Sequence, residues 1–294
     1  MSHYVIITPA HNEEDFIEET IKSMVAQTVP PLKWVIVDDG SVDNTADIIK
    51  NWAKRCDFIE TLTLQRDQER NFARKAIAFD AGFQTIQNLA FDFVGNVDAD
   101  MSFEPEYFQN ILKEFALDQK LGISGGIVYT KFVDKFVTYD TTLDSVGGKV
   151  QLFRRECFES IGGYLPLRQG GIDTAAEIMA RMKGWSVRKS VVNRTYEHRR
   201  TSFAWGKPLM AKMREGKHFH SLGYAPVFYL LRCMYRLKEY PFLLGSGAAL
   251  YGYVNGMIRR EPFALPKEIV AYLRREQRAK VRRAFGLGSK TRSA

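Results

Sequence analysis

The run Phe93-Val94-Gly95-Asn96-Val97-Asp98-Ala99-Asp100-Met101 joins a short apolar segment to two aspartates that are one residue apart. Side chains at positions i and i+2 of a strand point to the same side, so we expect Asp98 and Asp100, just past the strand's end, to serve one site. Two carboxylates this close repel each other unless a cation or a hydroxyl donor lies between them. Mg²⁺ is typically held by one or two carboxylates together with substrate phosphate oxygens. A solvated turn can contain the same pair, so its meaning depends on the rest of the chain.

The chain before this run alternates between apolar, β-branched segments and segments of helical periodicity. Strands are predicted at residues 4–8, 34–37, 58–64 and 91–97. Helices are predicted between them at residues 15–26, 43–54 and 71–87. Such alternation is typical of an α/β fold with a mostly parallel sheet and right-handed crossovers.

Polar clusters follow the predicted strands at their carboxyl ends. They are residues 10–13, residues 38–41, Arg66 and residues 98–100. Ligands of open α/β sheets bind in the crevice outside those ends. Any one cluster is most simply a polar loop, whereas four of them at equivalent places predict one shared crevice.

The remainder of the chain divides at about residue 200. Helices are predicted at 105–117, at 154–161 and at 173–184, and strands at 122–129, 149–153 and 185–192, with residues 131–146 unassigned. From residue 203 onward only helices are predicted, at 204–222, 226–239, 242–258 and 266–284. We therefore expect a domain over residues 1–200 and a helical region over residues 201–294.

Charge is distributed unequally over these two parts. Residues 1–198 hold 22 Lys and Arg against 29 Asp and Glu, whereas residues 199–294 hold 20 against 5. A basic region of this kind is expected to meet an anionic surface. The acidic α/β part and the absence of a nucleic-acid motif argue against a nucleic-acid partner.

The helical region is also the expected membrane contact. Residues 241–258 contain no charged residue, but four glycines, a serine and an asparagine make them poor in hydrocarbon character. Amphipathic helices in the interface of an anionic membrane explain this better than a span. The alternatives are a helical subdomain packed on the first domain and an oligomer interface. Three scattered cysteines and a start without a signal-peptide pattern lead us to expect a cytoplasmic protein at the membrane's inner face.

Several short motifs together resemble the family 2 glycosyltransferases, inverting enzymes of the GT-A fold that use nucleotide-diphospho-sugars. They are Pro9-Ala10-His11-Asn12-Glu13, Val37-Asp38-Asp39-Gly40-Ser41-Val42-Asp43, Asn71-Phe72-Ala73-Arg74, Asp98-Ala99-Asp100, and Gly162-Gly163-Tyr164 leading to Asp173. The resemblance covers roughly residues 4–198. The C-terminal part resembles bacterial exopolysaccharide-type members of the family, in a less specific way. Each motif is weak singly, but their order and spacing are specific.

The resemblance implies a divalent metal, Mg²⁺ or Mn²⁺, that stabilises the leaving diphosphate as a Lewis acid. Asp100 is the expected ligand, and His198 stands where the family has a late histidine in the coordination shell. The alternative for His198 is an ordinary polar residue at a strand end.

Donor binding is assigned to residues of the same crevice at the carboxyl ends of the strands. Asp39 is expected to accept from a uracil-type ring and Asp98 from a ribose hydroxyl. Pro9, Ala10 and Glu13 are expected to line the site, with Arg74 nearby. Arg74 could equally pair with a carboxylate in a structural role, and Asp38 is expected to cap its own loop through backbone hydrogen bonds.

Asp173, at the start of a helix, is the candidate general base that takes the acceptor's proton, and the alternative is a helix cap. Two departures from the family's pattern bear on the reaction. The usual acidic pair is here Ile172-Asp173, which keeps the expected base. The Gln-x-x-Arg-Trp motif of processive synthases is absent after Asp173, which favours addition of a single sugar.

The predicted function is transfer of one sugar, from a nucleotide-sugar that we expect to be a UDP-sugar, to a glycan or lipid-linked glycan acceptor in cell-surface polysaccharide synthesis. A polyprenyl phosphate is the alternative acceptor. A nucleotide-sugar-binding scaffold without catalysis is the non-enzymatic alternative, against which Asp98, Asp100 and Asp173 argue.

Overall fold

The computed structural model describes most of the chain. The described residues are 2–65, 72–132, 134–138, 142–199, 208–238 and 242–286. The predicted site positions Arg66 and Asn71 lie outside them. The chain divides into two compact units, Met1–Thr201 and Ser202–Ala294.

The first unit begins with the predicted alternation of strands and helices, and the α/β fold is confirmed. The strands are β1 Tyr4–Ala10, β2 Lys33–Asp38, β3 Ile59–Thr63 and β4 Phe93–Val97. The helices between them are α1 Ile17–Val25, α2 Thr45–Ala53 and α3 Ala73–Ile86. The strands pair in parallel in the order β3-β2-β1-β4, so their carboxyl ends share one edge of the sheet. All five residues of β4 are buried, as are five consecutive residues of β1, Tyr4 to Thr8.

The second half of this unit extends the same sheet with mostly antiparallel pairings, whereas β6 and β9 pair in parallel. Its elements are β5 Met101–Phe103, α4 Tyr107–Leu117, β6 Leu121–Phe132, β7 Lys135–Val137, β8 Val150–Arg154, α5 Arg155–Ile161, α6 Ile172–Met182 and β9 Ser186–Glu197. From β4 the order continues β8-β6-β9-β5, and β7 pairs with β6. Strand β8 is antiparallel to both β4 and β6, and β5 is antiparallel to β9.

Besides β7, which lies within the unassigned residues 131–146, two of these strands differ from the sequence-based expectation. Strand β9 continues to Glu197, five residues past the predicted end, because its second half pairs with β6 through a register shift. Strand β5 was not predicted, since three residues are too few to show a period. The pairing of β5 with the end of β9 brings His198 beside Asp100: the His198 N–H donates to the Asp100 carbonyl at 2.9 Å.

The second unit consists of helices at the four predicted places. They are α7 Pro208–Ser221, α8 Pro226–Tyr235, α9 Leu244–Ile258 and α10 Lys267–Ala284, with a 3-10 turn at Arg236–Lys238. A small core of Tyr229, Cys233, Ala249 and Tyr253 joins α8 and α9, and the two tyrosine rings stack with centroids 4.5 Å apart. Within the described residues, no helix is both long enough and apolar enough to cross a membrane.

Helix α9 has two unlike faces. Gly252 and Gly256 are buried, and a Cβ on Gly252 would lie 2.0 Å from the Met213 carbonyl oxygen of α7. The opposite face exposes large apolar side chains: Leu244 is 68% exposed, Tyr251 58% and Ile258 73%. These three residues, spaced seven apart, form an exposed apolar stripe along one side of the helix.

Candidate active site at the carboxyl ends of the strands

The ends of β1 and β2 are joined by backbone and side-chain bonds. The Asp39 N–H donates to the Ala10 carbonyl at 2.8 Å, directly after the register pair of Ala10 with Asp38. Ala10 and Asp39 are buried, whereas Pro9 in β1 is partly exposed. Three of the predicted donor-binding positions therefore meet at one edge of the sheet.

Arg74, in the first turn of α3, forms a two-point ion pair with Asp39. Its Nε donates to Asp39 Oδ2 at 3.2 Å, and its Nη2 donates to Asp39 Oδ1. This ion pair corresponds to the alternative interpretation of Arg74, in which it pairs with a carboxylate in a structural role. The pair also holds Asp39 in place, because a bidentate guanidinium fixes the plane of a carboxylate.

Asp38 has the loop role expected of it. Its Oδ1 accepts the Ser41 N–H at 3.0 Å, and Gly40, which precedes Ser41, has φ +68°. The turn therefore depends on an aspartate that bonds its own backbone and on a glycine that tolerates left-handed φ.

Asp98 and Asp100 lie together past β4, as the i, i+2 spacing predicts, and both are surrounded by cations. Lys75 Nζ contacts Asp98 Oδ1, and Lys149 Nζ lies 3.4 Å from Asp98 Oδ2 and 3.7 Å from Asp100 Oδ2. Burial alone would raise the pKa of Asp98, but the ammonium groups of Lys75 and Lys149 lower it below its ordinary value. Burial raises the pKa of Asp100, and the negative charges of Asp98 and Glu197 add to that effect.

Glu197, the last residue of β9, completes this cluster. It is 3% exposed, its Oε1 lies 2.8 Å from Lys149 Nζ, and its Oε2 accepts the Thr130 hydroxyl at 2.7 Å. Lys149 is thus the common partner of three carboxylates, those of Asp98, Asp100 and Glu197.

Glu13 and Arg199 extend the cluster to the loop after β1. Arg199 Nη2 contacts Glu13 Oε2, its Nε lies 3.4 Å from Asp100 Oδ2, and its guanidinium lies 4.9 Å from the Phe16 ring centroid. Burial raises the pKa of Glu13 to about 7, against an opposing effect of Arg199. The predicted substrate residue Glu13 and the predicted metal ligand Asp100 therefore share one guanidinium.

His198 is brought to the site by its backbone, while its ring has other contacts. Its Nε2 lies 2.7 Å from Ser102 Oγ, and its ring packs edge-on against Phe136 with centroids 5.6 Å apart. Burial lowers the pKa of His198. A neutral imidazole is the form that binds a metal, but ligation would use Nδ1 or replace the bond to Ser102.

Asp173 lies in the first turn of α6 and accepts a hydrogen bond from outside its helix. Its Oδ2 accepts the Gly148 N–H at 3.0 Å, and Gly171 rather than Asp173 is the N-cap. One turn later, the buried Glu177 accepts the Val146 N–H through Oε1 at 2.5 Å. Two carboxylates of α6 therefore hold the loop that leads to Lys149 and β8.

The fit of a divalent metal depends on Asp100. Among the described residues, Asp100 Oδ1 is buried and has no hydrogen-bond partner. A buried polar oxygen normally has a partner, and a metal ion would provide one here. No group of three or more His, Cys, Asp and Glu in the described ranges is arranged to hold a metal. One carboxylate oxygen therefore fits a metal whose other ligands are diphosphate and water oxygens.

Four residues of this site were not predicted: Lys75, Lys149, Glu197 and Arg199. Lys75 follows Arg74, and Glu197 and Arg199 flank His198, so proximity to predicted residues was a usable signal. Lys149 had no such signal, because it lies about fifty residues from Asp98 and is brought there by the pairing of β8 with β4.

Comparison with protein families identifies the region that contains these residues. The profile described as "Glycosyl transferase family 2" matches residues 5–172, more than half of the chain. TuaG of Bacillus subtilis, named for teichuronic acid biosynthesis, is 26% identical over 149 residues, which are 47% of this chain and 56% of TuaG. Poly-beta-1,6-N-acetyl-D-glucosamine synthase of Staphylococcus aureus is 32% identical over 116 residues, 40% of this chain and 26% of that protein. The chain thus matches little more than half of the first relative's length, and less of the other's.

Solved structures share the fold at low identity. Mannosyltransferase PcManGT of Pyrobaculum calidifontis, in complex with GDP-Man and Mn²⁺, has a TM-score of 0.58 at 17% identity and covers 97% of this chain and 82% of its own. S. aureus TarS 1–349, in complex with UDP-GlcNAc, has a TM-score of 0.55 at 14% identity and covers 99% and 93%. These neighbours confirm the predicted GT-A fold.

Proposed function

Because the chain belongs to glycosyltransferase family 2, we propose that it transfers one sugar, with inversion, from a UDP-sugar to a glycan or lipid-linked glycan. The observation that carries the proposal is a continuous set of contacts across the crevice. Lys75 contacts both Asp98 and the Gly148 carbonyl, and the Gly148 N–H contacts Asp173. These contacts support the assignment of the donor-binding residues and the proton-transfer residue to one site.

Asp173 is proposed as the general base. With Oδ2 held by the Gly148 N–H, the carboxylate is oriented, and Oδ1 is the oxygen proposed to take the acceptor's proton. A general base within hydrogen-bond reach of an attacking hydroxyl increases the reaction rate by about 10²- to 10⁴-fold. The acceptor oxygen bonds to the anomeric carbon as the bond to the diphosphate breaks, so a single displacement inverts that centre.

The donor end is proposed to lie at the strand ends, among the acidic and basic side chains. Asp39, fixed by Arg74, presents its carboxylate at the end of β2 for a nucleobase edge. Asp98 is proposed for the ribose, and Pro9, Ala10 and Glu13 for the wall of the pocket. A UDP-sugar is favoured because TarS is a structural neighbour in complex with UDP-GlcNAc, although PcManGT carries GDP-Man.

Asp100, together with His198, is proposed to hold Mg²⁺ or Mn²⁺. When bound, such an ion would act as a Lewis acid that stabilises the negative charge of the leaving diphosphate. The buried Oδ1 of Asp100 supports this choice over Asp98, whose two oxygens have cationic partners.

The helical unit is proposed to hold the enzyme on the inner face of a membrane. Support comes from the exposed apolar stripe of α9 and from the basic residues of α10, of which Arg275, Arg278 and Arg282 are examples. Each Lys or Arg near an anionic leaflet contributes about 1 kcal/mol. Such an enzyme would find a lipid-linked acceptor by diffusion in two dimensions.

The testing experiment follows UDP release and product together. The full chain is incubated with a panel of UDP- and GDP-sugars, Mn²⁺ and membrane lipid extract, and the product is analysed for its linkage. We expect UDP release that depends on the acceptor, with sugar attached to a glycan. Sugar attached to phosphate would instead identify a polyprenyl-phosphate acceptor. Nucleotide-sugar binding without any transfer would leave the scaffold alternative.

A further inference from the structure

Lys149 occupies the centre of the acidic cluster. Its Nζ lies 2.8 Å from Glu197 Oε1, 3.4 Å from Asp98 Oδ2 and 3.7 Å from Asp100 Oδ2. Burial alone would lower the pKa of Lys149, but the three carboxylates outweigh it and raise the pKa above its ordinary value. The side chain is therefore a fixed positive charge beside the proposed metal ligand.

The backbone holds this charge in place from both sides. The Asp98 N–H donates to the Lys149 carbonyl at 2.9 Å. The preceding carbonyl, that of Gly148, accepts from Lys75 Nζ and from Asn96 Nδ2, each at 2.9 Å. A Cβ on Gly148 would lie 2.9 Å from the Asp173 carboxylate, so only glycine allows this approach. Residues 148–149 consequently have little freedom to withdraw from the cluster.

An ammonium at this place affects a divalent cation in two opposite ways. In the empty site it neutralises Asp98, Asp100 and Glu197 and repels a second cation, because like charges a few ångströms apart oppose each other. A bound diphosphate reverses this balance. Its negative charge attracts both the ammonium and the metal, and it supplies the metal's remaining oxygen ligands.

We propose that Lys149 is a positioning residue that couples metal binding to donor binding: it keeps Mn²⁺ or Mg²⁺ weakly bound until a nucleoside diphosphate enters, and then contacts that diphosphate. The inference rests on the proposed function, since it takes Asp100 as the metal ligand. A purely structural ion pair would affect stability without changing this coupling.

The test measures Mn²⁺ affinity by electron paramagnetic resonance of free Mn²⁺, with and without UDP. In the wild type, Mn²⁺ alone should bind weakly and UDP should increase its affinity. Lys149→Met should bind Mn²⁺ alone about tenfold more tightly, within the usual range of coupling between two sites. The enhancement by UDP should shrink by a similar factor, because coupling is reciprocal. Lys149→Arg, which keeps the charge, should resemble the wild type.

Lys75→Met is the matched control, because Lys75 forms its ion pair with Asp98, which is not the proposed metal ligand. It should change the affinity for Mn²⁺ alone much less than Lys149→Met does. If Lys149→Met does not fold, as judged by circular dichroism, Lys149→Gln is measured by the same criterion.

Two failures can be told apart. A folded Lys149→Met or Lys149→Gln that binds Mn²⁺ no more tightly than the wild type, while UDP still enhances wild-type binding, overturns the role of Lys149 alone. A wild type that binds no Mn²⁺ even with UDP overturns both this role and the proposed metal site.

Discussion

The Gly148 N–H donates a 3.0 Å hydrogen bond to Asp173 Oδ2, which ties the loop of Lys149 to the candidate base. Lys149 in turn contacts Asp98 and Asp100. One loop therefore contacts both the carboxylates proposed for the donor and the metal and the carboxylate proposed as the base. The placement of the donor and the orientation of the base should therefore depend on one short loop.

Asp173→Asn should abolish most transfer while leaving donor binding intact. The amide oxygen can still accept the Gly148 N–H, but the side chain cannot take a proton, so kcat should fall by about 10²- to 10⁴-fold. UDP affinity by calorimetry should change less than threefold, a margin of roughly 0.6 kcal/mol. Turnover near the wild-type rate would show that another group is the base.

Asp100→Ala should remove the metal-dependent part of UDP binding. The reason is that Asp100 Oδ1 is a buried carboxylate oxygen for which the described residues supply no hydrogen-bond donor. Calorimetric titration of UDP with and without Mn²⁺ measures the effect. Asp80→Ala, on the exposed side of α3, serves as the control for handling and folding. An Mn²⁺ enhancement equal to that of the wild type would contradict the assignment.

Glu177 should make stability fall as the pH rises. Burial raises the pKa of Glu177 to about 7, from an ordinary value near 4.5. Between these values the native state binds the proton and the unfolded state has lost it, so the unfolding free energy decreases with pH. Glu177→Gln, which stays neutral, should therefore gain stability relative to the wild type on going from pH 5 to pH 8, by about 1–3 kcal/mol.

Urea unfolding at the two pH values measures this difference. Glu159→Gln is the control, because Glu159 lies in an exposed i, i+4 pair with Arg155. If the difference in unfolding free energy between Glu177→Gln and the wild type is the same at pH 5 and pH 8, Glu177 is ionised in the folded protein throughout this range.

Gly252→Ala and Gly216→Ala should destabilise the helical unit. A Cβ would lie 2.0 Å from the Met213 oxygen in the first variant and 1.8 Å from the Ala249 oxygen in the second, so α7 and α9 would have to separate. Overpacking of this kind costs about 1–3 kcal/mol or more. Gly247 lies in α9, and a Cβ there would have no atom within 4 Å. Gly247→Ala should therefore stabilise the helical unit by roughly 0.5–1 kcal/mol. Thermal melts that rank the three variants equally would contradict the close crossing.

The exposed apolar stripe of α9 should be required for membrane binding. In liposome flotation, the full chain should float with phosphatidylglycerol-containing vesicles at low salt, and high salt should release much of it, because salt screens the basic residues. Replacing Leu244, Tyr251 and Ile258 together by serine should abolish flotation, since burying each apolar side chain contributes about 1.5 kcal/mol or more.

Val42→Ser and Leu117→Ser together are the matched control, because both residues are exposed apolar side chains of the first unit. This control should float normally. Wild-type protein that never floats at low salt would exclude the membrane role and leave a helical subdomain.

The sequence alone determined the elements that have a strong apolar pattern. The β-branched runs of β1, β2 and β4 were predictable because strands buried on both faces are continuously apolar, and the helices between them because apolar residues recur about every 3.6 residues. The joint position of Asp98 and Asp100 also followed from the sequence, since strand geometry sets the direction of neighbouring side chains. The family resemblance added the significance of Asp173, which its position in a helix would not have given.

The tertiary structure decided the partners of these residues. Lys149 and Glu197 lie far from Asp98 in sequence, and only the antiparallel insertion of β8 beside β4 and the extension of β9 to residue 197 bring their charges together. Likewise, on sequence grounds Arg74 could serve the donor site or pair with a carboxylate in a structural role, and the fold pairs it with Asp39. Local periodicity specifies elements, whereas electrostatic partners depend on strand order, and strand order is set by packing of the whole sheet.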